Sequence, residues 1–142
     1  MRYFWKSFLK TAEVLRKEVS TVAVIKDGKM LMGKRRDNGK YTAPGGHLDK
    51  GEEPLDGAVR ELFEESGIEA KPSDLKFIRT IKNPENGYVV HGYRLDLDKH
   101  PGTSMKNDPD GEVYRWHFMD VNKIEDKNLH VPRSKGNVLL GE

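Results

Sequence analysis

The sequence of 142 residues contains no cysteine. This absence excludes disulfide bonds, a thiolate nucleophile and zinc sites with cysteine ligands. It also fits a reducing compartment, so we expect the protein to be cytoplasmic.

Long apolar runs and a strong excess of one charge are missing as well. The longest apolar runs, 22–25 and 30–32, are far too short to cross a bilayer, and the N-terminus shows no signal-peptide core. The 25 basic residues are interleaved with 23 acidic ones, for a net charge of +2. We therefore expect no membrane partner and no nucleic-acid polymer as a partner.

A length of 142 residues suits one domain and is too small for two, so residues 1–142 are expected to form a single domain. Apolar residues at helical spacing predict a helix from Pro54 to Ser66 that ends at Gly67, and Asp27-Gly28 predicts a tight hairpin. Residues 127–142 form either a flexible tail or a segment that packs through Val138–Leu140. Strands are predicted at 19–26, 29–35, 75–82, 88–97 and 112–119, a short closing helix at 121–126, and an amphipathic N-terminal helix through Phe4, Phe8, Ala12, Leu15 and Val19.

Three acidic residues share one face of the predicted central helix. At 100° per residue, Glu61, Glu64 and Glu65 lie within about 100° of one another, away from the apolar stripe. Like charges at this spacing repel, so a compensating cation is expected. Oxygen ligands without histidine or cysteine suit a hard cation such as Mg²⁺ or Mn²⁺. The alternative is an acidic helix face that is simply solvated.

The segment around these acids follows a longer pattern: Gly, five residues, Glu, seven residues, then Arg-Glu-hydrophobic-any-Glu-Glu-any-Gly-hydrophobic. The segment resembles the Nudix box. This resemblance implies an α/β/α sandwich with a mixed sheet and a catalytic loop-helix-loop. It also implies a hydrolase that cleaves a phosphoanhydride bond in a nucleoside diphosphate linked to another group. The matching residues are Gly46, Glu52, Arg60, Glu61, Leu62, Glu64, Glu65, Gly67 and Ile68.

The resemblance also implies roles for single residues. Glu61, Glu64 and Glu65 would hold the metal ions together with the backbone carbonyl of Gly45. Glu52 and Arg60 would pair and orient these carboxylates, and Gly46 would let metal and phosphate approach the backbone. The general base would be a box glutamate, for which we take Glu64, or a later one. Glu112, four residues before Trp116, ranks above Glu85 as the later candidate.

The substrate is less clearly indicated than the reaction. Lys34 and Arg35 either meet substrate phosphates or belong to a solvated charge run. Pro84 lies sixteen residues beyond the box, a position that resembles the marker of the ADP-ribose pyrophosphatase branch, but Pro-Glu-Asn-Gly also suits an ordinary turn. We favour ADP-ribose or a nucleotide sugar over a (d)NTP that releases pyrophosphate.

Three further alternatives stay open. An RNA 5′ end or a dinucleoside polyphosphate is a less favoured substrate. A protein of the same fold that binds a nucleotide without cleaving it is the alternative from another class. Nothing in the sequence decides whether the protein is a homodimer.

Overall fold

A computed structural model describes residues 17–99 and 113–140, with side chains from residue 116 onward in the second range.

The predicted hairpin is confirmed. Strands β1 (Glu18–Lys26) and β2 (Lys29–Arg35) run antiparallel on either side of Asp27 and Gly28. Both turn residues have positive φ, 51° for Asp27 and 75° for Gly28, which a two-residue hairpin turn requires.

The seven described strands form one mixed sheet in which β1 is central. Strand β1 pairs in parallel with β6 on one edge, and its other edge is shared by β2 and β4. Strand β2 also pairs with β3 and β7, and β5 pairs with β6, all antiparallel. The remaining strands are β3 (Tyr41–Thr42), β4 (Gly45–His47), β5 (Lys76–Lys82), β6 (Val89–Asp96) and β7 (Val113–Met119).

The predicted central helix, α1 (Pro54–Ser66), is confirmed at both ends. Proline in the first turn costs no helical hydrogen bond. Gly67 ends the helix with φ 76° and donates its N–H to the carbonyl of Phe63 at 2.9 Å. Its apolar stripe packs on one face of the sheet, where Ala58 and Leu62 are fully buried against β1. The acidic face of the helix therefore lies against β4, where Glu65 contacts Gly45 and Glu61 contacts Gly46.

A second apolar cluster covers the opposite face of the sheet. Leu129 is buried there and Leu139 and Leu140 pack against the same cluster, so the described part of residues 127–142 packs on the body. The prediction of one short helix over 121–126 is wrong, because the segment is not continuously helical. The helix is replaced by 3₁₀ turns at Val121–Lys123 and Asp126–Asn128, because the chain is extended at Ile124, whose side chain enters the core.

The predicted N-terminal helix lies almost wholly outside the described residues. Phe4, Phe8, Ala12 and Leu15 belong to that part. The inclusion of Val19 was wrong, since Val19 lies in β1 and pairs with Val90 and His47. Within residues 17–99 and 113–140, no helix is both long enough and apolar enough to span a membrane.

Candidate active site

Gly46 brings strand β4 against helix α1. A Cβ atom at this position would lie 2.6 Å from the carboxyl carbon of Glu61 and 2.7 Å from both of its oxygens. Real Cβ contacts are never this short, so any side chain here would displace the carboxylate. The glycine is therefore required by a close approach between the strand backbone and a carboxylate.

Gly45 is confined on the other side of the same strand. Its Cβ would lie 2.5 Å from the carbonyl oxygen of Ser20, in the neighbouring β1. The Gly45 N–H donates to Oε2 of Glu65 at 3.3 Å. Two consecutive glycines thus bring the backbone of β4 within reach of two carboxylates of α1.

Arg60 is anchored by a bidentate ion pair with Glu52. Its Nε and one terminal nitrogen lie 2.8 Å from the two oxygens of Glu52. Asp49 adds a carboxylate oxygen 3.3 Å from the same Nε. Glu52 also accepts the backbone N–H of Asp49 at 2.9 Å, which closes the loop between β4 and α1. A planar guanidinium makes this two-point contact and lysine would not.

The other terminal nitrogen of Arg60 points to the helix carboxylates. It lies 2.9 Å from Oε1 of Glu61 and 3.1 Å from Oε2 of Glu64. The terminal nitrogen of Arg60 that binds Glu52 also donates to the backbone carbonyl of His47 at 3.1 Å. The pairing of Arg60 with Glu52 that the resemblance implies is thus observed, and the two residues position Glu61 and Glu64.

This cluster has more negative than positive charge. One guanidinium faces four carboxylates, those of Asp49, Glu52, Glu61 and Glu64. Burial raises the pKa of Glu61, although Arg60 opposes that shift. Burial alone would lower the pKa of Arg60. The hydrogen bond to Glu52 and the charge of Glu61 outweigh burial, so the pKa of Arg60 is raised above its ordinary value. A second cation would relieve the remaining repulsion.

The donor set fits a divalent cation in its chemistry. All the converging ligands are oxygens, as Mg²⁺ and Mn²⁺ prefer, and the absence of a side chain at Gly46 lets the strand backbone approach the Glu61 carboxylate. Within residues 17–99 and 113–140, no three acidic or histidine side chains are already arranged around a common metal position. Arg60 instead binds oxygens of both Glu61 and Glu64.

The other predicted residues lie elsewhere or outside the described part. Arg35 forms a bidentate ion pair with Asp37, at 2.9 and 2.7 Å, and Nζ of Lys34 lies 5.9 Å from the centre of the Tyr41 ring. These contacts tie both basic residues to the β2–β3 region. Glu85 is exposed in the turn between β5 and β6. Glu112 lies outside the described residues.

Sequence reasoning missed two residues between the end of β4 and the start of α1, His47 in the strand and Asp49 in the loop. Asp49 faces Arg60, and His47 contributes its carbonyl to Arg60 while Nε2 of its ring lies 3.3 Å from the hydroxyl of Tyr88. Both occupy variable positions of the box pattern, so the pattern assigns them no role. Their proximity to Arg60 depends on the loop conformation, which spacing does not reveal.

The model of the NUDIX domain matches residues 15–138, most of the chain. The chain belongs to the Nudix family. The expected family and the expected fold, a Nudix sandwich built on a mixed sheet, are confirmed.

Curated relatives include several Nudix proteins. The chain is 38% identical over 76 residues to a MutT-like protein of Streptomyces ambofaciens, which covers 54% of this chain and 48% of that protein. An uncharacterized Nudix hydrolase of Bacillus subtilis is 29% identical over a match that covers 80% of this chain and 70% of that protein. An RNA pyrophosphohydrolase of Bartonella quintana is 31% identical, with 71% and 57% covered. The chain thus spans about half to two thirds of the length of these relatives.

Solved Nudix structures share the fold at low identity. A MutT Nudix hydrolase from Burkholderia pseudomallei superposes with a TM-score of 0.66 at 19% identity, covering 84% of this chain and 94% of that one. A bifunctional NMN adenylyltransferase/ADP ribose pyrophosphatase from Francisella tularensis, complexed with AMP and a manganese ion, gives 0.61 at 17% identity, covering 83% and 40%. These likenesses establish the fold alone.

Proposed function

We propose that this Nudix protein hydrolyses a phosphoanhydride bond in a nucleoside diphosphate linked to another group, by attack of water on phosphorus. The observation that carries the proposal is the Arg60 cluster, in which one guanidinium faces four carboxylates next to a strand whose glycine lets its backbone approach Glu61. We propose that residues 1–142 act as one domain around this single site.

Nudix hydrolases generally use divalent metal ions, and we propose Mg²⁺ or Mn²⁺ for this chain. Glu61, Glu64, Glu65 and the carbonyl of Gly45 would hold the ions. Such an ion supplies neutralisation of the phosphate oxygens and a bound water of lowered pKa. The manganese ion in the Francisella structure is consistent with this choice of metal.

The chain's own residues supply orientation and proton transfer. Glu52 fixes Arg60, and Arg60 holds the carboxylates of Glu61 and Glu64, so that the ligands are positioned before substrate arrives. A carboxylate must accept the proton of the attacking water, and we assign this step to Glu64, with Glu112 as the alternative. The variant Glu112→Gln separates the two. It should keep activity if Glu64 is the base, and it should lose activity and partly regain it at higher pH, as hydroxide replaces water, if Glu112 is the base.

For the substrate, we propose an ADP-ribose or nucleotide-sugar type ahead of a (d)NTP. Pro84 supports this choice, and it lies in the exposed turn that joins β5 and β6. The Francisella neighbour is named an ADP ribose pyrophosphatase and the Bartonella relative an RNA pyrophosphohydrolase. We assign Lys34, Arg35 and the backbone at Gly46 to substrate phosphates, where they would offset anionic charge during attack.

The test is a product assay on the purified protein with Mg²⁺ or Mn²⁺. Substrates are ADP-ribose, a nucleotide sugar, dNTPs, a dinucleoside polyphosphate and 5′-triphosphorylated RNA. We expect metal-dependent release of AMP from ADP-ribose and little pyrophosphate from dNTPs. Efficient release of pyrophosphate instead would move the assignment to the (d)NTP class.

The same samples test the alternative of a protein that binds without cleaving. Such a protein would raise its melting temperature with ligand and Mg²⁺ but release no product. That outcome would overturn the enzymatic proposal and leave the nucleotide-binding assignment in place.

A further inference from the structure

Three polar side chains from separate parts of the chain meet where β1 and β6 begin and β4 ends. Nε2 of His47 lies 3.3 Å from the hydroxyl of Tyr88, and the two rings pack edge to face with centroids 5.8 Å apart. Nζ of Lys17 lies 5.7 Å from the centre of the Tyr88 ring and donates to the carbonyl of Asn86 at 2.7 Å. We call this group the Lys17–His47–Tyr88 cluster.

Strand register places the cluster on the face of the sheet opposite α1. His47 of β4 is paired with Val19 of β1, and Val19 is paired with Val90 of β6. Lys17 and Tyr88 lie two residues before Val19 and Val90, and alternate residues of a strand share a face. The neighbouring Ser20, on the other face, donates to the carbonyl of Pro54 in α1. The cluster therefore shares its face with Gly45, two residues before His47.

The cluster is directly connected to the Arg60 cluster. The carbonyl of His47 accepts a hydrogen bond from Arg60 at 3.1 Å, and the N–H of Gly45 donates to Glu65. Two residues of a strand span about 6.5 Å. This distance is comparable to the length of a diphosphate, so one ligand can reach both Gly45 and His47.

The charges of the two clusters are opposite. Within the described part of the chain, Lys17 forms no ion pair with a carboxylate, and its ammonium contacts only a carbonyl and an aromatic ring. The Arg60 cluster has an excess of carboxylates instead. The structure therefore presents a cation and two polar rings on the face of the sheet opposite α1, with the backbone of β4 between them and the acidic centre.

We propose that the Lys17–His47–Tyr88 cluster binds a phosphate group of the nucleotide substrate and so helps to determine its specificity. This inference rests on the proposed function, since it concerns a second part of the same site. Lysine supplies a positive charge, and the tyrosine hydroxyl and the histidine ring supply hydrogen-bond donors, the groups that recognise a phosphate oxyanion. The cluster is joined to the Arg60 cluster only through the backbone of β4, so it would hold a phosphate group without taking part in attack.

The test is calorimetric titration of ADP and of adenosine, with Mg²⁺, into the wild type and the variants Lys17→Met and Tyr88→Phe. We expect Lys17→Met to weaken ADP binding by about 10-fold and Tyr88→Phe by about 3-fold, from loss of a charged and of a neutral hydrogen bond. Adenosine binding should not change. If the wild type turns over ADP-ribose, KM should rise in the same proportion while kcat stays within about 2-fold.

The matched control is Lys76→Met, which removes an exposed lysine at the far end of β5. Lys76 pairs with Arg94, whereas Lys82 pairs with Val89 beside Tyr88, so the control lies about 20 Å along the strand. It should bind ADP as the wild type does. Melting temperatures of all variants show whether the fold is retained.

The outcomes separate this inference from the proposed function. Unchanged ADP binding in Lys17→Met, no ADP binding by the wild type, or equal weakening of adenosine and ADP would each overturn the phosphate assignment. A wild type that binds ADP through Lys17 but cleaves no substrate would overturn the enzymatic proposal and support the cluster.

Discussion

Arg60 and Arg133 each hold a loop together by several hydrogen bonds, and they differ in the charge that surrounds them. Arg133 donates to Asp126 at 2.9 Å and to the carbonyls of Ile124 and Val121 at 3.0 and 2.5 Å. Its network contains one carboxylate and is neutral. The Arg60 network contains four carboxylates and has a net negative charge.

This difference distinguishes a structural network from a candidate active site. A neutral network around one arginine is satisfied by the protein alone, so its loss should reduce only stability. An acidic cluster on a half-buried helix face brings like charges together and shifts the pKa of Glu61, a pattern that is typical of functional sites. The following predictions test this distinction, beginning with the largest expected effect.

Removal of one carboxylate charge from the acidic face of α1 should cause the largest loss of turnover. We expect Glu64→Gln and Glu65→Gln each to lower kcat/KM on the order of 10³-fold, because each change removes a proposed metal ligand without changing side-chain volume. The control is Glu69→Gln, an exposed residue just beyond the helix. Wild-type activity in both site variants would contradict the metal-site assignment.

A methyl group at Gly46 should impair the site with little effect on the fold. The added Cβ would lie 2.6 Å from the Glu61 carboxyl group, which must move. We expect Gly46→Ala to lower kcat about 100-fold. Gly92→Ala provides the comparison, since its Cβ would meet the buried side chain of Val138 at 3.0 Å. That variant should lose about 1–2 kcal/mol of unfolding free energy and keep its activity.

Replacement of each arginine by lysine compares the two networks directly. A lysine in place of Arg60 cannot make the bidentate contact with Glu52 while it holds Glu61 and Glu64, so we expect Arg60→Lys to lower kcat/KM by about 10- to 100-fold. Arg133→Lys should keep full activity and lower the melting temperature by about 3 °C. Equal losses of activity in both variants would show that the charge difference has no functional meaning.

The smallest effect concerns the pH dependence of the Arg133 network. The hydrogen bond from Arg133 lowers the pKa of Asp126 below its ordinary value of 3.8. A lowered pKa stabilises the fold above the ordinary value, and this stabilisation is lost as pH falls through the lowered pKa. Asp126→Asn should therefore melt below the wild type at neutral pH. A melting difference that persists in strong acid would exclude the ion pair as its cause.

Local sequence patterns predicted the elements that position the candidate site. The helix Pro54–Ser66 and the hairpin at Asp27-Gly28 follow from periodicity and turn chemistry, which act over a few residues. The closing segment was predicted less well, because the burial of Ile124 depends on the sheet beneath it. Tertiary packing, which no local pattern contains, ended the predicted helix there.

The acidic ligands and Arg60 were also identified from spacing and resemblance, while their surroundings were not. The box pattern relates Glu52 to Arg60, but the contributions of Asp49 and His47 need the three-dimensional path of the loop. The pairing of Lys17 with Tyr88 joins residues 71 positions apart. Such a contact is decided by the parallel register of β1 and β6, which the sequence pattern does not specify.

The division of one edge of β1 between β2 and β4 has a consequence for hydrogen exchange. Gly45–His47 pair with Val19–Thr21, the same residues that pair with β6 on the other edge. The amide hydrogens of this segment that bond to β1 should thus exchange only when the central strand separates from its neighbours, which is close to global unfolding, whereas the Gly45 N–H is protected by the Glu65 carboxylate. The backbone beside the carboxylates would be among the slowest-exchanging parts of the protein, while the loop around Asp49 exchanges quickly.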